Sequence, residues 1–338
     1  DVYKRQMIAC LFIISGCALF GKNLFNVWFI VAGVFLYGKY HQKPFKDLAY
    51  TAFFGTALAP VITEIIFSTD SVVWVRVPLG IGISLAIGFI LYPVSANLLK
   101  VHQGFSLYNM GFTAGIVGTI VVSLLNSYGI VPAPQMIWTR GNNLIIGSYL
   151  SLIFLSMLIV GLCLTSHPLE KIRRIWASSG QLVTDFVVIE GFGASLINMG
   201  MSGLIATLYI LLVKGDLNGP TAGGILTIVG FSAFGKHPKN IIPILMGVYL
   251  GTLGKHWNAN DPSLQLAALF GTTLAPIAGK YGWFWGIMAG FIHSSAAQSV
   301  GVLHGGLNLY NNGFAAGIVA TSLVPVIQSF EKIRQNQA

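Results

Sequence analysis

Charged residues are scarce in this 338-residue chain: they make up 9% of it, whereas hydrophobic residues make up 54%. A soluble globular domain usually carries about 25% charged residues. So little charge does not cover a surface that faces water, which excludes the class of soluble globular proteins. The mean hydropathy of +0.74 indicates a chain whose solvent is the lipid bilayer. In the bilayer, only helices or closed barrels give every backbone N–H and C=O group a hydrogen-bond partner.

The chain also lacks the sequence motifs of common enzymes and metal sites. It contains no HExxH, GxSxG or Walker A sequence. Its three cysteines lie in apolar segments without a CxxC spacing, and its loop histidines show no ligand spacing. We therefore predict no enzymatic activity, no metal ion and no cofactor.

Long apolar runs are what the chain does contain, for example at residues 143–166. Barrel strands would alternate apolar and polar residues, whereas continuous runs of about 20 residues cross a bilayer as helices. We predict an all-α polytopic protein of the cell membrane, namely the bacterial inner membrane. The formal net charge of +9 is spread over short connectors. This pattern indicates loops that face anionic lipid headgroups, so membrane lipids are predicted partners and nucleic acid is not.

An internal repeat is the strongest pattern in the sequence. HQGFSLYNMGFTAGIVGT from His102 and HGGLNLYNNGFAAGIVAT from His304 are identical at 12 of 18 positions. The repeat extends upstream, where AFFGTALAPV from Ala52 matches ALFGTTLAPI from Ala268. Further back, we align Gly33, Gly38 and Lys39 with Gly230, Gly235 and Lys236. Apolar composition alone does not produce such matches, so the chain is predicted to contain two homologous halves.

The repeat sets the predicted domain boundaries. They are 1–6, foreign to the native chain; 7–128, the first half, truncated at its N-terminus; 129–181, a linker with one membrane helix and a basic loop; 182–330, the second half; and 331–338, a basic tail. Short, glycine-rich segments at matching places predict broken or re-entrant helices around a site at the midplane. A bundle of tilted helices in a thinned bilayer is the alternative. Whether the halves are inverted or parallel stays open.

Asparagine recurs in the repeated motif, which begins with His102 or His304. Tyr108 and Asn109 match Tyr310 and Asn311, and a weaker copy, GASLINMGMSG, contains Asn198. A buried amide is costly without partners, so three of them suggest one repeated device. Each amide either caps a helix that begins there and contacts a passing solute, or forms interhelical hydrogen bonds that stabilise the fold. These alternatives stay open, and all seven residues join the predicted substrate pathway.

Three more polar residues are candidates for the pathway. His293 and Gln298 lie on one polar segment of the second half, where the first half has Leu91 and Ala96. Such a helix is expected to face the interior of the bundle or water. Glu190 precedes the weaker motif, and an intramembrane carboxylate is a candidate proton or cation site. A structural polar cluster is the alternative for each.

At the Tyr-Asn step the sequence resembles the urea transporters, whose two halves each contain a Gly-(Tyr/Phe)-Asn step followed by small residues. Here one extra residue separates the asparagine from the later glycine. The whole chain resembles an uncharacterised family of bacterial multi-pass membrane proteins. The urea-transporter resemblance implies a homo-trimer in which each protomer has a narrow pore for a neutral amide, close to the Tyr-Asn steps.

These patterns favour a channel or facilitator for a small neutral polar solute such as urea or a related amide. A transporter coupled to protons or cations through Glu190 is the second hypothesis. An intramembrane enzyme or a scaffold without transport activity is the third. Equilibrative uptake that ignores pH and sodium would favour the first hypothesis over the second.

Overall fold

The computed structural model describes the backbone of residues 2–68, 71–133 and 136–336, and the side chains from Met7 to Ile333 within those ranges. This described part is entirely helical and contains no β-strand. The helices are α1 Val2–Ala18, α2 Trp28–Tyr40, α3 Phe45–Gly55, α4 Pro60–Phe67, α5 Val73–Val101, α6 Asn109–Ser127, α7 Asn143–Leu164, α8 Pro168–Ala177, α9 Phe186–Glu190, α10 Phe192–Leu212, α11 Gly219–Phe231, α12 Pro238–Leu250, α13 Pro262–Gly271, α14 Ala275–Tyr281, α15 Trp283–Val300 and α16 Asn311–Asn336.

Within the described residues, six helical segments are long and apolar enough to cross a bilayer. They are Phe45–Phe67, Val73–Val101, Asn109–Ser127, Asn143–Leu164, Phe192–Leu212 and Asn311–Ile333. Shorter apolar helices lie beside them, including Gly219–Phe231. The prediction of an all-α polytopic membrane protein with short and broken helices is confirmed. The predictions made for residues 1–6 and for the end of the 331–338 tail fall on side chains outside the described part.

The two halves use the same order of helices, so that α1 to α6 correspond to α11 to α16. The clearest proof is a pair of glycine crossings. Gly33 of α2 packs on Gly88 of α5, and Gly247 of α12 packs on Gly290 of α15; in each crossing a Cβ atom added to the second glycine would lie within 3.1 Å of the Cα atom of the first. Small residues permit such close helix contacts. The repeat detected in the sequence is therefore a repeat of structure.

One part of the sequence alignment is wrong. Gly33 is equivalent to Gly247, as the crossings show, and not to Gly230. The residue equivalent to Lys236 is Lys22, because each lysine is followed four positions later by an asparagine whose amide donates to the carbonyl just before that lysine. Asn26 donates to Gly21 at 3.0 Å and Asn240 to Gly235 at 2.9 Å. Lys39, which the sequence alignment chose, is exposed.

The halves are inverted relative to each other, which resolves the open question about topology. Gln328, late in α16, donates to Gln103, which precedes α6, at 3.1 Å. At the other end, Gly305 precedes α16 and packs against Pro132, which follows α6. The two helices therefore run antiparallel, as the helices of an inverted repeat do.

The antiparallel helices α6 and α16 meet at their repeated glycines. A Cβ atom on Gly111 would lie 2.9 Å from the Cα atom of Gly313, and one on Gly313 would lie 2.8 Å from the Cα atom of Gly111. One turn later Gly115 packs on Phe314, and the equivalent Gly317 packs on Phe112. Both glycines of the motif are thus required for the close contact between the halves.

Each half also contains one broken crossing. Helices α3 and α4 are joined by a 3-10 turn at Thr56–Leu58, and α13 and α14 by one at Thr272–Leu274. Pro60 and Pro276 follow these turns, and a proline removes one backbone donor from a helix. Thr56 and Thr272 donate their hydroxyls to the carbonyls three residues earlier, at 2.5 and 2.6 Å. A carbonyl in each break accepts a hydrogen bond from the loop before the repeated helix of the other half: Leu309 donates to Ala57 and Leu107 to Thr273, each at 3.0 Å.

One end of the bundle is strongly basic. The amphipathic helix α8 lies there, and the backbone carbonyl of Ser178, directly after it, accepts a hydrogen bond from the His237 ring at 3.0 Å. Gln181 donates to Gln103 at 2.6 Å, which places the residues before α6 at the same end. We call this end the basic face; it includes the exposed side chains of Lys43, Lys100, Arg173 and Lys239. The positive-inside rule predicts that this face lies on the cytoplasmic side of the membrane.

Candidate functional site

The histidine and the asparagine of each motif bind each other. His102 contacts the Asn109 side-chain oxygen at 3.0 Å, and His304 contacts that of Asn311 at 2.6 Å. Asn109 also donates to the carbonyl of Ser95 at 3.1 Å. These contacts close the tight loop that precedes α6 or α16. The constant spacing of seven residues between histidine and asparagine therefore has a structural cause.

Asn198, in the weaker copy of the motif, also forms hydrogen bonds with other groups of the protein. Its side-chain amide donates to the carbonyls of Ser232 and Lys236, both at 2.8 Å. These carbonyls lie just beyond the end of α11, where a helix leaves carbonyls without partners. Asn198 therefore fixes the segment that positions Lys236.

The two repeated asparagine motifs meet in a close crossing. The backbones of Gly111 and Gly313 are in direct contact at the crossing, and the amides of Asn109 and Asn198 are hydrogen-bonded by the protein itself. A solute has no room to pass there in this conformation. Of the two alternatives for the asparagine amides, these contacts match interhelical hydrogen bonding.

The tyrosines of the motifs lie elsewhere, in two matched pairs with lysines. The Lys236 ammonium donates to the hydroxyl of Tyr108 and, at 2.7 Å, to that of Thr272. The Lys22 ammonium donates to the hydroxyl of Tyr310 at 2.7 Å. Each lysine therefore binds the tyrosine of the opposite half. We call Lys236–Tyr108 and Lys22–Tyr310 the central pairs.

The central pairs are buried and close to each other. Lys236 is fully buried and Lys22 is 5% exposed. Cys17 and Tyr50 are each near enough to interact electrostatically with both Tyr108 and Tyr310. Among the described residues, no carboxylate forms an ion pair with either lysine. In the described part of the bundle interior, Lys22 and Lys236 thus have only neutral hydrogen-bond partners.

A cavity of about 210 Å³ leads from the basic face towards these pairs. Its lining residues are Asp47, Tyr50, Thr51, Tyr92, Ser95, Ala96, Leu99, Asn109, Leu182, Val183 and Phe234. Asp47, Ala96 and Val183 are exposed and form the rim, whereas Phe234 is buried and forms part of the inner end.

An aromatic layer separates the cavity from the central pairs. Phe234 packs on Phe231 with ring centroids 5.0 Å apart, and Phe231 packs on Tyr108 at 4.6 Å. The Lys236 ammonium lies 5.4 Å from the centroid of the Phe231 ring. Tyr50 belongs to the same layer and contacts Phe54. The cavity is therefore one-sided and ends one aromatic ring away from Lys236.

His293 and Gln298 lie apart from this cavity. His293 is fully buried, as expected for a helix face that points into the bundle. Neither ring nitrogen of His293 has a hydrogen-bond partner of good geometry within the described residues, and the same holds for the buried nitrogen of Gln298. The structure assigns them no contact with the central pairs.

Glu190 lies outside the membrane-spanning helices, on the short helix α9 at the basic face. Both of its carboxylate oxygens accept hydrogen bonds from Arg174, each at 2.8 Å. Arg174 also binds Glu170 at 2.6 Å. The hydrogen bond to Glu190 raises the pKa of the Arg174 guanidinium above its ordinary value. Glu190 thus connects α8 to α9, and its contacts do not match those of a coupling site.

Sequence reasoning missed Lys22 and Lys236. A signal was present: both lysines follow an apolar segment and precede an asparagine by four residues. Lys22 was overlooked because the sequence alignment paired Lys39, and not Lys22, with Lys236. Within the described residues, no group of three potential ligands is placed to hold a metal ion.

The comparisons with known proteins identify a family and nothing more specific. No curated protein and no solved structure matches the chain. A family model described as "Protein of unknown function (DUF1576)" matches residues 3–127 and 164–329. The gap between the two matched parts coincides with the loop after α6 and most of α7. The chain therefore belongs to the DUF1576 family.

Proposed function

We propose that this protein is a membrane transporter that carries a small polar solute by alternating access. The single observation that supports the proposal is the position of the central pairs: they lie inside an inverted repeat, behind a cavity that opens to one face. Inverted repeats with discontinuous helices commonly place a substrate site between the halves and expose it to each side in turn.

The closed crossing favours a carrier over the channel that the sequence analysis predicted. A channel needs a continuous path, and the contact between Gly111 and Gly313 blocks the path between the motifs. The proposal keeps the small polar solute and the non-enzymatic role. The homo-trimer, the urea-like solute and the bacterial inner membrane stay predictions.

A counterflow assay on the full chain in proteoliposomes tests the proposal. Liposomes are preloaded with unlabelled solute, and a trace of labelled solute is added outside. A carrier accumulates the label transiently, because outward movement of unlabelled solute returns the site to the outside. A channel, or a protein without transport activity, gives no accumulation, and that result for every solute offered would contradict the proposal.

Matched tyrosine variants connect transport to the site. Tyr108→Phe and Tyr310→Phe each remove one hydroxyl that binds a central lysine, so we expect uptake to fall by about tenfold, which corresponds to one hydrogen bond to a charged group. Tyr128→Phe is the control, since Tyr128 is 83% exposed. Equal uptake by all three variants would disconnect transport from the central pairs.

A further inference from the structure

The proposed function leaves the charge of the solute open, and the buried lysines bear on it. A charged group that is removed from water without an opposite charge is costly. Ionisable residues inside a membrane protein usually mark the route of a substrate or an ion. Lys22 and Lys236 have only neutral partners in the described structure, namely Tyr310, Tyr108 and Thr272. Such a site is incomplete until a negative charge enters.

The polarity of the neighbouring helix ends is favourable to an anion. Helix α6 begins at Asn109 directly after Tyr108, and α16 begins at Asn311 directly after Tyr310. The N-terminus of a helix has a partial positive charge. Two such ends therefore meet beside the central pairs, with no described carboxylate paired to either lysine.

A further lysine lies at each end of the route. At the basic face, the Lys43 ammonium donates at 3.3 Å to the hydroxyl of Tyr92, which lines the cavity. At the opposite face, the Lys255 ammonium donates to the hydroxyls of Ser294 and Ser295 at 3.1 and 2.7 Å. Ser294 occupies the position in the second half that Tyr92 occupies in the first. Each face of the bundle thus has a lysine beside this pair of corresponding positions, Tyr92 and Ser294.

We infer that the transported solute is a small anion, which Lys43 and Lys255 attract at the two faces of the bundle and Lys22 and Lys236 bind at the centre. This inference rests on the proposed transport function. The carboxylate at the cavity, Asp47, is on the exposed rim, where water screens its charge. The central lysines are shielded from water, so their attraction for an anion is stronger than the repulsion from Asp47.

Binding to the purified full-length protein is the first test. Thermal unfolding is measured at constant pH and ionic strength with sodium salts of chloride, phosphate, acetate and succinate, and separately with urea and acetamide. We expect at least one anion to raise the unfolding temperature and the neutral amides to leave it unchanged, because a ligand stabilises the state that it binds. The salts separate inorganic anions from organic carboxylates. A shift with amides alone would overturn the inference.

Charge-removing variants assign the anion to the central lysines. Lys22→Gln and Lys236→Gln keep a side-chain donor for the tyrosine hydroxyl but remove the charge. We expect each variant to weaken anion binding about tenfold or more, the effect of losing one charged hydrogen bond. Lys39→Gln is the matched control, since Lys39 also ends an apolar helix but is exposed. If both central variants are monodisperse and bind the anion like the control, the inference is wrong.

Flux separates failure of this inference from failure of the proposed function. Proteoliposomes are tested in counterflow with each anion and each amide. Counterflow of an anion that is lost in Lys22→Gln and Lys236→Gln supports both proposals. Counterflow of urea or acetamide without counterflow of any anion leaves transport standing and overturns the anionic substrate. No counterflow with any of these solutes contradicts transport itself.

Discussion

At the scale of single residues, the buried amides are the clearest case of chemistry that stabilises the fold. Asn198 holds two carbonyls beyond the end of α11, next to Lys236. A buried carbonyl that loses its donor costs more than the hydrogen bond itself contributes, because water is no longer available to it. The amide therefore acts on the site indirectly, through the position of Lys236.

Replacing Asn198 by leucine is expected to lower the free energy of unfolding by about 1–3 kcal/mol, since two buried carbonyls lose their donor. Thermal unfolding in detergent measures the loss. Asn97→Leu is the control, because its amide donates to the carbonyl of Pro93 at an exposed position. Equal unfolding temperatures for the two variants would contradict the structural role of Asn198.

Replacing either member of the Arg174–Glu190 ion pair is expected to change stability by different amounts. The Glu190 side chain is 4% exposed, whereas that of Arg174 is 51% exposed. Arg174→Gln leaves a carboxylate buried without its partner, which is strongly unfavourable. Glu190→Gln leaves an arginine that still reaches water and Glu170. We expect the arginine variant to unfold at the lower temperature.

The same pair tests ion coupling. If Glu190 serves only to connect α8 and α9, transport by Glu190→Gln keeps the dependence on pH and sodium that the unaltered protein shows. Uptake measured across a pH gradient and across a sodium gradient gives the answer. Loss of gradient-driven accumulation in folded Glu190→Gln protein would restore Glu190 as a coupling site.

At the scale of helices, the glycines of the repeated motif set how closely α6 and α16 approach. A methyl group on Gly111 would collide with the backbone of Gly313 at 2.9 Å. Backbone atoms do not move aside as a flexible side chain does, so the two helices would have to separate. The identical glycine in both copies of the motif therefore follows from one shared contact.

Gly111→Ala is expected to destabilise the protein by about 1–3 kcal/mol, the usual effect of overpacking. Gly82→Ala in α5 is the opposite case, since a Cβ atom there meets no atom within 4 Å. Alanine is the better helix former by about 0.5–1 kcal/mol, so this variant should gain stability. Unfolding temperatures of the two variants and the unaltered protein test both expectations. A higher unfolding temperature for Gly111→Ala would contradict the close crossing.

Helix positions were largely predictable from the sequence, whereas the partners of the central residues were not. Apolar length located α7 at residues 143–166, because the bilayer fixes how many apolar residues a crossing needs. The motif identified Tyr108 and Tyr310. Their lysine partners were not predictable, since Lys236 is 128 positions from Tyr108 and only the inverted packing of the halves brings them together.

At the scale of the whole molecule, the inverted repeat and the basic face define a topology that can be measured. Arg173 lies on α8, at the basic face. Arg140 lies in a loop at the opposite face, where it pairs with Asp216 at 3.7 Å. The positive-inside rule then places Arg173 in the cytoplasm and Arg140 outside.

Single cysteines test this topology after Cys10, Cys17 and Cys163 are replaced by alanine. In intact cells, a thiol reagent that does not cross membranes should label Arg140→Cys and leave Arg173→Cys unlabelled. Permeabilised cells should give labelling of both variants, which controls for reactivity. Labelling of both positions in intact cells would exclude the arrangement described above.

The unequal polarity of α15 and α5 has one more consequence. Two inverted copies with identical side chains would give the inward-open and outward-open shapes the same energy, so each would be occupied half of the time. Here His293 and Gln298 stand where the other copy has Leu91 and Ala96. Buried imidazole and amide groups require different surroundings from alkyl groups. Under the alternating access proposed above, the duplication would supply the two shapes, and these unmatched side chains would set which one the empty protein prefers at rest.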